Sequence, residues 1–578
     1  MKITIVIVLL VLAKSVFPQS PAFEKNKELG RGINLGNMFE APSEEAWGNP
    51  FQDAYLQQIA ELGFDHVRIP IRWEPSDRSM AESPYTIEAS FLGRIQHVVD
   101  LALEHQLHVI INMHHHEMLF EKPDEQKARF LAMWNQIANY FSDYPDRLIF
   151  ELLNEPHGSL TAAKWNLFLA DAVNAIRNSN PNRFLMVGTA EYGGLVGLPK
   201  LKLPADDRLI LTIHYYSPFS FTHQGAEWAG DEAQQWLGTK WMDTESERQA
   251  VQSDFAAAIL YRETNQVPIH IGEFGAYSTA DMDSRARWTT YLTRYFESQN
   301  FSWAYWEYSA GFGIYDPANQ TFHTELVDAL LQNEMPEPTP VNLEELLKTD
   351  FEDDGDWEGW HLNNSNGTSS SGLVGLGNLT IDIENAGTQG WHIQLVYPDL
   401  LLEQGKTYEI RILAKAENNR PISVYAGMDH DPWSSYSGYS TLNMTPRPQL
   451  FSVIFQMQNK TDNQSRLVLD LGYSKTNVQI DEIALYELSF ATESQDTIVQ
   501  TSFFFPNPTD GLVNFSTADS ASVISVYSFQ GSLVWEQQMP SSQQINLKRL
   551  PAGRYIIRWQ AKERMQVGKL IKQASLQF

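Results

Sequence analysis

The sequence predicts an α/β protein in which a (β/α)8 barrel, of the TIM-barrel class, is followed by two β-sandwich domains. From about residue 30 to 310, short β-rich runs alternate with longer amphipathic stretches, the pattern of parallel strands joined by crossover helices. After about residue 350, short alternating runs are separated by Gly, Asn, Pro and Ser, as in antiparallel sandwiches. The length of 578 residues agrees with about three or four domains.

The barrel prediction rests on eight candidate strands, the number that closes this type of barrel. Between the second and third strands, apolar residues from Phe91 to Leu103 recur at helical spacing. An open doubly wound sheet is the competing fold, but Gly36-Asn37-Met38-Phe39 lacks the glycine-rich turn that binds dinucleotides there. The eight strands are Arg31 to Gly36, Phe64 to Ile71, His108 to His115, Leu148 to Pro156, Arg183 to Glu191, Leu209 to Pro218, Pro268 to Gly275 and Phe301 to Tyr308.

Domain boundaries follow from changes in composition. A basic residue, Lys2, followed by the apolar run Ile3–Ala13 predicts a signal peptide. The run is too short to be a membrane-spanning helix instead. The proline-rich stretch Met335–Pro340 predicts a semi-rigid linker. The predicted segments are a signal peptide at 1–20, the barrel at 21–334, a linker at 335–349, a sandwich at 350–490 and a C-terminal domain at 500–578.

The composition also excludes several classes of function. The chain has 71 acidic and 42 basic residues, and the net charge of −29 disfavours attraction to nucleic acid or to an anionic membrane. Because Cys is absent, neither disulfides nor thiolate metal sites can form. No nucleotide, flavin or haem signature is found, so we predict that the protein needs no cofactor.

Polar residues collect at the predicted carboxyl ends of the barrel strands, where barrel enzymes carry their functional groups. Glu155 and Glu273 stand out because each follows an apolar run. Two carboxylates at the ends of different strands fit glycoside hydrolysis, in which one acid is ionised and the other donates a proton. The alternative is that both are ordinary strand-end carboxylates paired with Arg or Lys. The other strand-end residues are Asn34, Arg68, His114, His115, His116, Asn154, His214, Tyr216, Trp306 and Glu307.

Two clusters invite a metal interpretation, and we predict a metal at neither. In an extended strand His114 and His116 share one face while His115 opposes them, so the three imidazoles do not converge. Contact with substrate is expected for His114 and His115, and a structural role for His116. The acidic cluster at Asp353, Asp354 and Asp356 lacks the spacing of a defined calcium loop, which favours a solvated face.

Aromatic residues are the expected sugar-binding groups, because sugar rings stack flat on indole and phenol rings. In the barrel, Trp47, Trp228, Trp236 and Trp241 fall in predicted loops, where they would suit an open cleft. The alternative is that several of them pack between helices. In the sandwich, Asp429–Tyr439 is the best candidate for a binding loop, with a purely structural spacer as the alternative.

Taken together, these strand ends resemble glycoside hydrolase family five, and more closely its endo-β-1,4-glucanase branch, over about residues 28 to 330. One Asn-Glu-Pro tripeptide would be weak support, whereas eight stretches in the family's order are specific. They are Gly32–Asn37, Val67–Pro70, Ile111–His115, Leu153–His157, His214–Pro218, Phe221–Ala226, Ile271–Tyr277 and Trp303–Glu307.

The resemblance implies a role for each matching residue. Glu155 would be the general acid and base, Asn154 would bind the sugar 2-hydroxyl, and Glu273 would be the nucleophile. The remaining implied roles are those of Arg68 and Tyr216, which would hold Glu273 as an anion, of His114 and His214 in the polar floor, of Trp306 stacked under the sugar, and of the sugar-contacting Asn34, Glu40, His115, Trp228 and Glu307.

The two later domains resemble known modules less closely. The sandwich is loosely similar to the carbohydrate-binding modules attached to such hydrolases. The C-terminal domain resembles the sorting domain of type IX secretion, through Phe505–Pro508, Leu550–Tyr555 and Lys569–Lys572. That resemblance implies export to the cell surface or medium, with the type IX machinery as a partner.

The sequence as a whole predicts a secreted, monomeric, retaining endo-β-1,4-glucanase that acts on cellulose-like or mixed-linkage β-glucan. The first alternative is an endo-β-1,4-mannanase or a dual glucan and mannan hydrolase, since the strand-end residues are shared and loop shape decides. The second is a surface glycan-binding protein without catalysis.

Overall fold

The computed structural model describes residues 20–490, 504–505, 512–515, 522–528, 533–538, 543–551, 553–561 and 564–572. The predicted signal peptide, apart from Ser20, lies outside the described residues. The chain divides into two compact units, Met1–Ala491 and Thr492–Phe578. Within the described residues, no helix has both the length and the apolar character needed to cross a membrane.

Eight parallel strands form a closed barrel in sequence order, and the last strand pairs with the first. Each predicted strand is present, but most end a few residues earlier than predicted, so the functional residues stand at or just past the ladder. The strands are β1 (Arg31–Asn34), β2 (His66–Ile69), β3 (His108–Asn112), β4 (Leu148–Glu151), β5 (Leu185–Gly188), β6 (Leu209–His214), β7 (Ile269–Glu273) and β8 (Ser302–Tyr305).

The helices surround the barrel and bury one apolar stripe each against it. In the third helix the predicted stripe is present, and Leu92, Ile95 and Val99 are buried. Burial of each such side chain contributes about 1.5–3 kcal/mol. The helices are α1 (Pro21–Leu29), α2 (Ala54–Leu62), α3 (Ala89–Glu104), α4 (Glu117–Glu121), α5 (Pro123–Tyr140), α6 (Ala162–Arg177), α7 (Phe219–Thr222), α8 (Glu245–Asn265), α9 (Met282–Ser298) and α10 (Thr324–Leu331).

After a small hairpin of β9 (Tyr315–Asp316) and β10 (Thr321–Phe322), two antiparallel sheets form the sandwich. One sheet has the order β13-β14-β21-β16-β19, with β11 paired to β21, and the other has the order β12-β15-β20-β17-β18. The strands are β11 (Val341–Thr349), β12 (His361–Asn364), β13 (Ser369–Val374), β14 (Leu379–Asn385), β15 (Ile393–Leu402), β16 (Thr407–Ala416), β17 (Arg420–Met428), β18 (Ser440–Met444), β19 (Gln449–Gln456), β20 (Asp462–Asp470) and β21 (Val478–Phe490).

Strand β11 corrects the predicted linker at 335–349. Residues 341–349 pair antiparallel with β21 and belong to the sandwich. Most side chains of β11 are exposed, although Leu347 reaches the sandwich core. A polar, exposed strand gives a composition like that of a linker, which is why the sequence did not reveal it.

The second unit contains two further antiparallel sheets, in the orders β22-β23-β26 and β25-β24-β27-β28. Their apolar core includes Val513, Ile524 and Ile557. Pro506, Asn507 and Pro508 of the predicted sorting motif lie outside the described residues. The strands are β22 (Phe504–Phe505), β23 (Leu512–Phe515), β24 (Val523–Ser528), β25 (Leu533–Gln538), β26 (Gln544–Asn546), β27 (Gly553–Ala561) and β28 (Arg564–Lys572).

Candidate active site

Glu155 and Glu273 meet at the carboxyl end of the barrel. Glu273 is the last residue of β7, and Glu155 follows β4 in a left-handed conformation with φ of 47°. A carboxylate oxygen of each, together with a ring nitrogen of His214, lies within 4.8 Å of the other two. The strand ends therefore bring together the two acids that the sequence singled out.

Three side chains hold the Glu273 carboxylate. Arg68 Nη1 donates to its Oε1 at 2.7 Å, and the Tyr216 hydroxyl donates to its Oε2 at 3.0 Å. His214 Nδ1 lies 3.5 Å from the same Oε2. Burial raises the pKa of Glu273, while the positive charges of His214 and Arg68 oppose that rise. Burial beside Glu273 also raises the pKa of Tyr216 well above 10, so its hydroxyl keeps the proton that it donates.

Arg68 shares its donors between Glu273 at the end of β7 and residues at the ends of β1 and β4. Its guanidinium contacts Glu151 through two bonds, of 2.5 and 2.8 Å, and reaches Asn34 and Asn154 at 2.8 Å each. Burial opposes ionisation of Glu151, but the charge of Arg68 lowers its pKa below the ordinary value. Arg68 is therefore fixed by a buried carboxylate on one side and presented to Glu273 on the other.

Glu151 is a functional residue that sequence reasoning missed. It lies in β4 with no exposed surface, within the run Leu148-Ile-Phe-Glu-Leu-Leu. A charged residue inside an otherwise apolar strand is the signal that could have found it, because a buried carboxylate requires a buried cation. The predicted strand extends to Pro156, which places Glu151 in its interior, whereas β4 ends at Glu151.

Asn34 differs from its predicted role in contacting sugar. It is fully buried, and its amide nitrogen donates to the carbonyls of Gly272, Ala304 and Tyr305 at 3.0 to 3.2 Å. Its Oδ1 accepts from Arg68. The hydrogen-bonding groups of Asn34 are thus engaged beneath the cleft, where the residue positions Arg68. Asn37, three residues later, lines the cavity.

Glu155 has the more open setting of the two acids. Its Oε1 lies 2.7 Å from His214 Nδ1, and 28% of its side chain is exposed against 7% for Glu273. Burial lowers the pKa of His214, but the neighbouring Glu273 and Glu155 raise it by more, so the pKa is raised overall.

Asn154 has one group left to bind a ligand. Its Oδ1 accepts a hydrogen bond from Arg68, so the amide nitrogen is the group that remains.

The three histidines of the run His114–His116 lie in different surroundings. His114 stacks on Trp306 with ring centroids 5.7 Å apart and an interplanar angle of 11°, and both residues line the cavity. His115 also lines it, with its ring 6.1 Å from that of Trp47. His116 is fully buried against Met113 and Gln126, which fits a structural role.

The cluster of Glu155, His214 and Glu273 has ligand atoms close enough to surround a cation, a set that the sequence analysis did not consider. Two observations disfavour that use. Arg68 already places a permanent positive charge 2.7 Å from Glu273. Glu273 and Glu155 raise the pKa of His214, which favours binding of a proton over binding of a metal at its ring nitrogen.

A second pair of buried carboxylates lines the cavity near Glu273. Glu40 accepts from the backbone amides of Asn37 and Met38, and burial raises its pKa to about 7. Burial and the neighbouring Glu40 raise the pKa of Glu307 well above the ordinary value. Glu307 Oε2 is buried and has no hydrogen-bond partner among the described residues. A ligand hydroxyl is a suitable partner for that oxygen, as the predicted role in sugar contact requires.

The tryptophans divide into two groups. Trp228 and Trp47 are exposed at 63% and 45% and line the cavity, and their role as sugar platforms stays a prediction. Trp236 and Trp241 are only 7% and 1% exposed, so they are packed rather than open. Trp241 stacks against Tyr291, and Trp236 packs on Phe219 and donates to a sandwich carbonyl.

In the sandwich, the predicted binding loop is partly exposed. Trp433 is 48% exposed, and the Arg466 guanidinium lies 4.8 Å from its ring centroid. Tyr436 donates to Asp462 at 2.8 Å. One face of the indole is therefore covered by Arg466, and a sugar-binding role for this loop stays a prediction.

The geometry of the two acids decides which chemistry they can perform. Inverting glycosidases keep their carboxyl groups about 6.5–9.5 Å apart to admit a water, whereas retaining enzymes need about 5–5.5 Å. A carboxylate oxygen of Glu155 lies within 4.8 Å of one of Glu273.

Three family models match successive parts of the chain. Residues 26–311 match "Cellulase (glycosyl hydrolase family 5)". Residues 344–479 match "Carbohydrate binding domain", and residues 503–573 match "Secretion system C-terminal sorting domain".

The chain is also similar to individual proteins. It is 33% identical over 315 residues to endoglucanase H of Acetivibrio thermocellus, a match that covers 53% of this chain and 33% of that relative. It is 31% identical to endoglucanase B of Clostridium cellulovorans, over 51% of this chain and 72% of the relative. The alignment thus spans about a third of endoglucanase H.

Solved structures match the barrel region. The endoglucanase Cel5A from Thermotoga maritima has a TM-score of 0.52 and 47% identity over 54% of this chain and 99% of that one. Other structures of that protein, 46% identical, are described as complexes with mannotriose and with cellobiose. The similarity therefore covers the barrel and stops before the sandwich.

Proposed function

Because the chain belongs to glycosyl hydrolase family 5, we propose that it is a retaining endo-β-1,4-glucanase that cleaves cellulose-like or mixed-linkage β-glucan by double displacement. The observation that carries the proposal is the pair of carboxylates within 4.8 Å, one of them bonded to Arg68 and Tyr216. An anion held in that way is suited to attack, and the second acid is free to move a proton.

In the first step, Glu273 Oε attacks the anomeric carbon and forms a glycosyl ester. The bond to the leaving oxygen breaks, and Glu155 transfers its proton to that oxygen. Arg68 and Tyr216 keep Glu273 oriented and favour its anionic form. Asn154, whose Oδ1 is fixed by Arg68, offers its amide nitrogen to the sugar 2-hydroxyl.

In the second step, Glu155 acts as the base. It removes a proton from water, the water oxygen bonds to the anomeric carbon, and the ester bond to Glu273 breaks. His214, 2.7 Å from Glu155 and 3.5 Å from Glu273, lies between the two acids, which raise its pKa. The exposed part of the Glu155 side chain gives the water its access.

The sugar at the cleavage point has a defined surface. Trp306, stacked on His114, offers a platform, and Glu40 and Glu307 offer buried oxygens for hydroxyls. Trp228 and Trp47 extend the platforms along the cleft. An open cleft with several platforms suits an internal segment of a polymer better than a chain end.

A dual activity on glucan and mannan is the second candidate. It is favoured by the 46% identical Thermotoga maritima Cel5A, whose structures are described with cellobiose and with mannotriose. A glycan-binding protein without catalysis is disfavoured by the intact set of acids and their partners.

The sorting-domain match indicates export, and we propose release to the medium or the cell surface after removal of an N-terminal signal peptide. Binding of polysaccharide by the sandwich is proposed from its carbohydrate-binding family match.

The experiment that tests the function is a comparison of rates. The purified protein is expected to release reducing ends from carboxymethyl cellulose and mixed-linkage β-glucan, with a lower rate on glucomannan. Faster hydrolysis of glucomannan would favour the dual hydrolase or mannanase. Saturable binding with no reducing ends released from any of the three polymers would contradict the proposal.

A further inference from the structure

The sandwich lies against the barrel through the edge strands of both its sheets. Strand β18 ends one sheet and β19 ends the other. The Leu450 amide of β19 donates to Ser253 Oγ of α8 at 3.3 Å. An uncovered edge strand can pair with another chain, and α8 covers the edge strand β19.

Two further hydrogen bonds join the sandwich to loops that wall the cleft. Asn419 Nδ2 donates to the Val196 carbonyl at 2.7 Å, in the 3₁₀ helix Leu195–Lys200 between β5 and β6. Trp236 Nε1, in the loop between β6 and α8, donates to the Tyr439 carbonyl at 3.3 Å. The sandwich is therefore hydrogen-bonded to two loops of the barrel that border the catalytic acids.

The linker is held in place as well. The Thr339 amide donates to the Asp243 carbonyl at 2.8 Å, and Arg248 Nη2 donates to the Pro336 carbonyl at 2.9 Å. Arg248 is itself fixed by two bonds of 2.7 Å to the Asp243 carboxylate. The connection between the domains is thus hydrogen-bonded to the barrel at two points.

One continuous cavity of about 2000 Å³ runs from Glu155 and Glu273 to the sandwich. It is larger than the roughly 300–1,000 Å³ of a site for a small ligand. The cavity reaches Pro421 of β17 and Thr441 and Asn443 of β18. These three side chains are exposed and stand on the side of their sheet opposite the core, since their neighbours Ile422, Leu442 and Met444 belong to that core.

The cavity extends on the side of Glu155. A Cβ added to Gly193 would lie 3.4 Å from Glu155 Cγ, and the 3₁₀ helix bound by Asn419 begins two residues later. Tyr192, 60% exposed, stacks on His157 at 4.4 Å and offers a platform along the way. Under the proposed function Glu155 protonates the leaving oxygen, so this is the side where the leaving part of the chain lies.

We propose that the sandwich forms the distal, leaving-group end of the substrate cleft, so that one β-1,4-linked glucan chain contacts the catalytic acids and the β18 face at the same time. Thr441 and Asn443 then hydrogen-bond sugar hydroxyls several units from the cleavage point. The inference rests on the proposed function, and it makes the sandwich a part of the active site rather than a separate anchor.

The test compares a short and a long soluble substrate, cellotetraose and mixed-linkage β-glucan, in the full chain. The double variant Thr441→Ala/Asn443→Ala removes the proposed contacts, and both residues are exposed, so the fold should be kept. Each lost hydrogen bond is expected to reduce binding roughly two- to tenfold. With two such bonds lost, the ratio of kcat/KM for the polymer to that for cellotetraose should therefore fall by roughly four- to a hundredfold.

The matched control is His361→Ala/Asn363→Ala, two exposed residues of β12 at the opposite edge of the same sheet. This control should leave the ratio unchanged. A wild-type ratio in the β18 variant would overturn the inference, even if its binding to insoluble cellulose fell, because a separate anchor would show only the latter. A wild-type protein that hydrolyses neither substrate would instead overturn the proposed function.

Discussion

The barrel and the sandwich use buried charge in different ways. In the barrel, Arg68 contacts Glu151 from one strand and Glu273 from another, and none of the three side chains is more than 7% exposed. In the sandwich, the buried Glu409 is paired with Arg411, two residues away on the same strand. A local pair only neutralises charge, whereas a pairing across strands also fixes a reactive group in space. The difference explains why chemistry is expected in the barrel and only binding in the sandwich.

The largest effect is expected from the two acids. Glu155→Gln should lower kcat by roughly 10²- to 10⁴-fold, the usual contribution of general acid–base catalysis. Glu273→Gln should lower it further, because no covalent intermediate can form without the nucleophile. An aryl glycoside with a good leaving group needs no proton from Glu155, so it should restore the first step in the Glu155 variant and not in the Glu273 variant.

The control for this pair is Glu191→Gln, an exposed acid that lines the same cavity and pairs with Lys200. Its activity should stay close to that of the wild type. If the leaving group rescued both variants or neither, the assignment of the two roles would be wrong.

The next effect concerns stability and separates the two kinds of ion pair. Glu151→Gln leaves the buried Arg68 short of one carboxylate, which should lower the free energy of unfolding by about 3–5 kcal/mol. Glu409→Gln should cost only about 1–2 kcal/mol, because Arg411 is 22% exposed and can be hydrated. Denaturant unfolding of both variants measures the contrast, and equal losses would contradict it.

A smaller effect concerns pH and the buried histidines of the barrel. Burial lowers the pKa of His116 to about 4, against about 6.5 when unfolded. Between those values the unfolded chain binds a proton that the folded chain does not, so stability is full above pH 6.5 and falls as the pH drops toward 4. Burial raises the pKa of Glu40 to about 7, so the contribution of Glu40 to stability has the opposite pH dependence and falls as the pH rises.

His116→Gln isolates one of these contributions. Relative to the wild type, the variant should lose less free energy of unfolding with acidification, by on the order of 1 kcal/mol per pH unit between pH 6.5 and 4. The exposed His97→Gln is the control. Unfolding curves at pH 7 and pH 5 check the prediction, and identical pH dependence in the variant and the wild type would refute it.

The sequence could predict the barrel because its signals are local. A buried parallel strand needs a continuous apolar run, and the first polar residue after it lies at the cleft, so Glu155 and Glu273 were identifiable. The residues at which the barrel strands end could not be identified, because the residues that follow the hydrogen-bonded part of each strand have the same composition as those within it. Glu151 was missed for a related reason, since only the folded barrel shows that its partner, Arg68, comes from a different strand.

The sandwich was less predictable. Its strands could be located by alternation, but β11 has the polar composition of a linker and forms a strand only through pairing with β21. The burial of Trp236 depends on Tyr439, 203 residues away. Contacts between distant segments leave no local pattern, so neither the docking of the sandwich nor the shared cavity could be found before the structure.

The central claim is that Glu155 and Glu273 act together by double displacement. The most direct measurement follows the anomeric configuration of the first reducing ends released from a soluble β-1,4-glucan, by proton NMR before mutarotation. Double displacement by these two acids should give the β-anomer first, because two displacements restore the configuration. Initial formation of the α-anomer would show a single displacement by water and would contradict it.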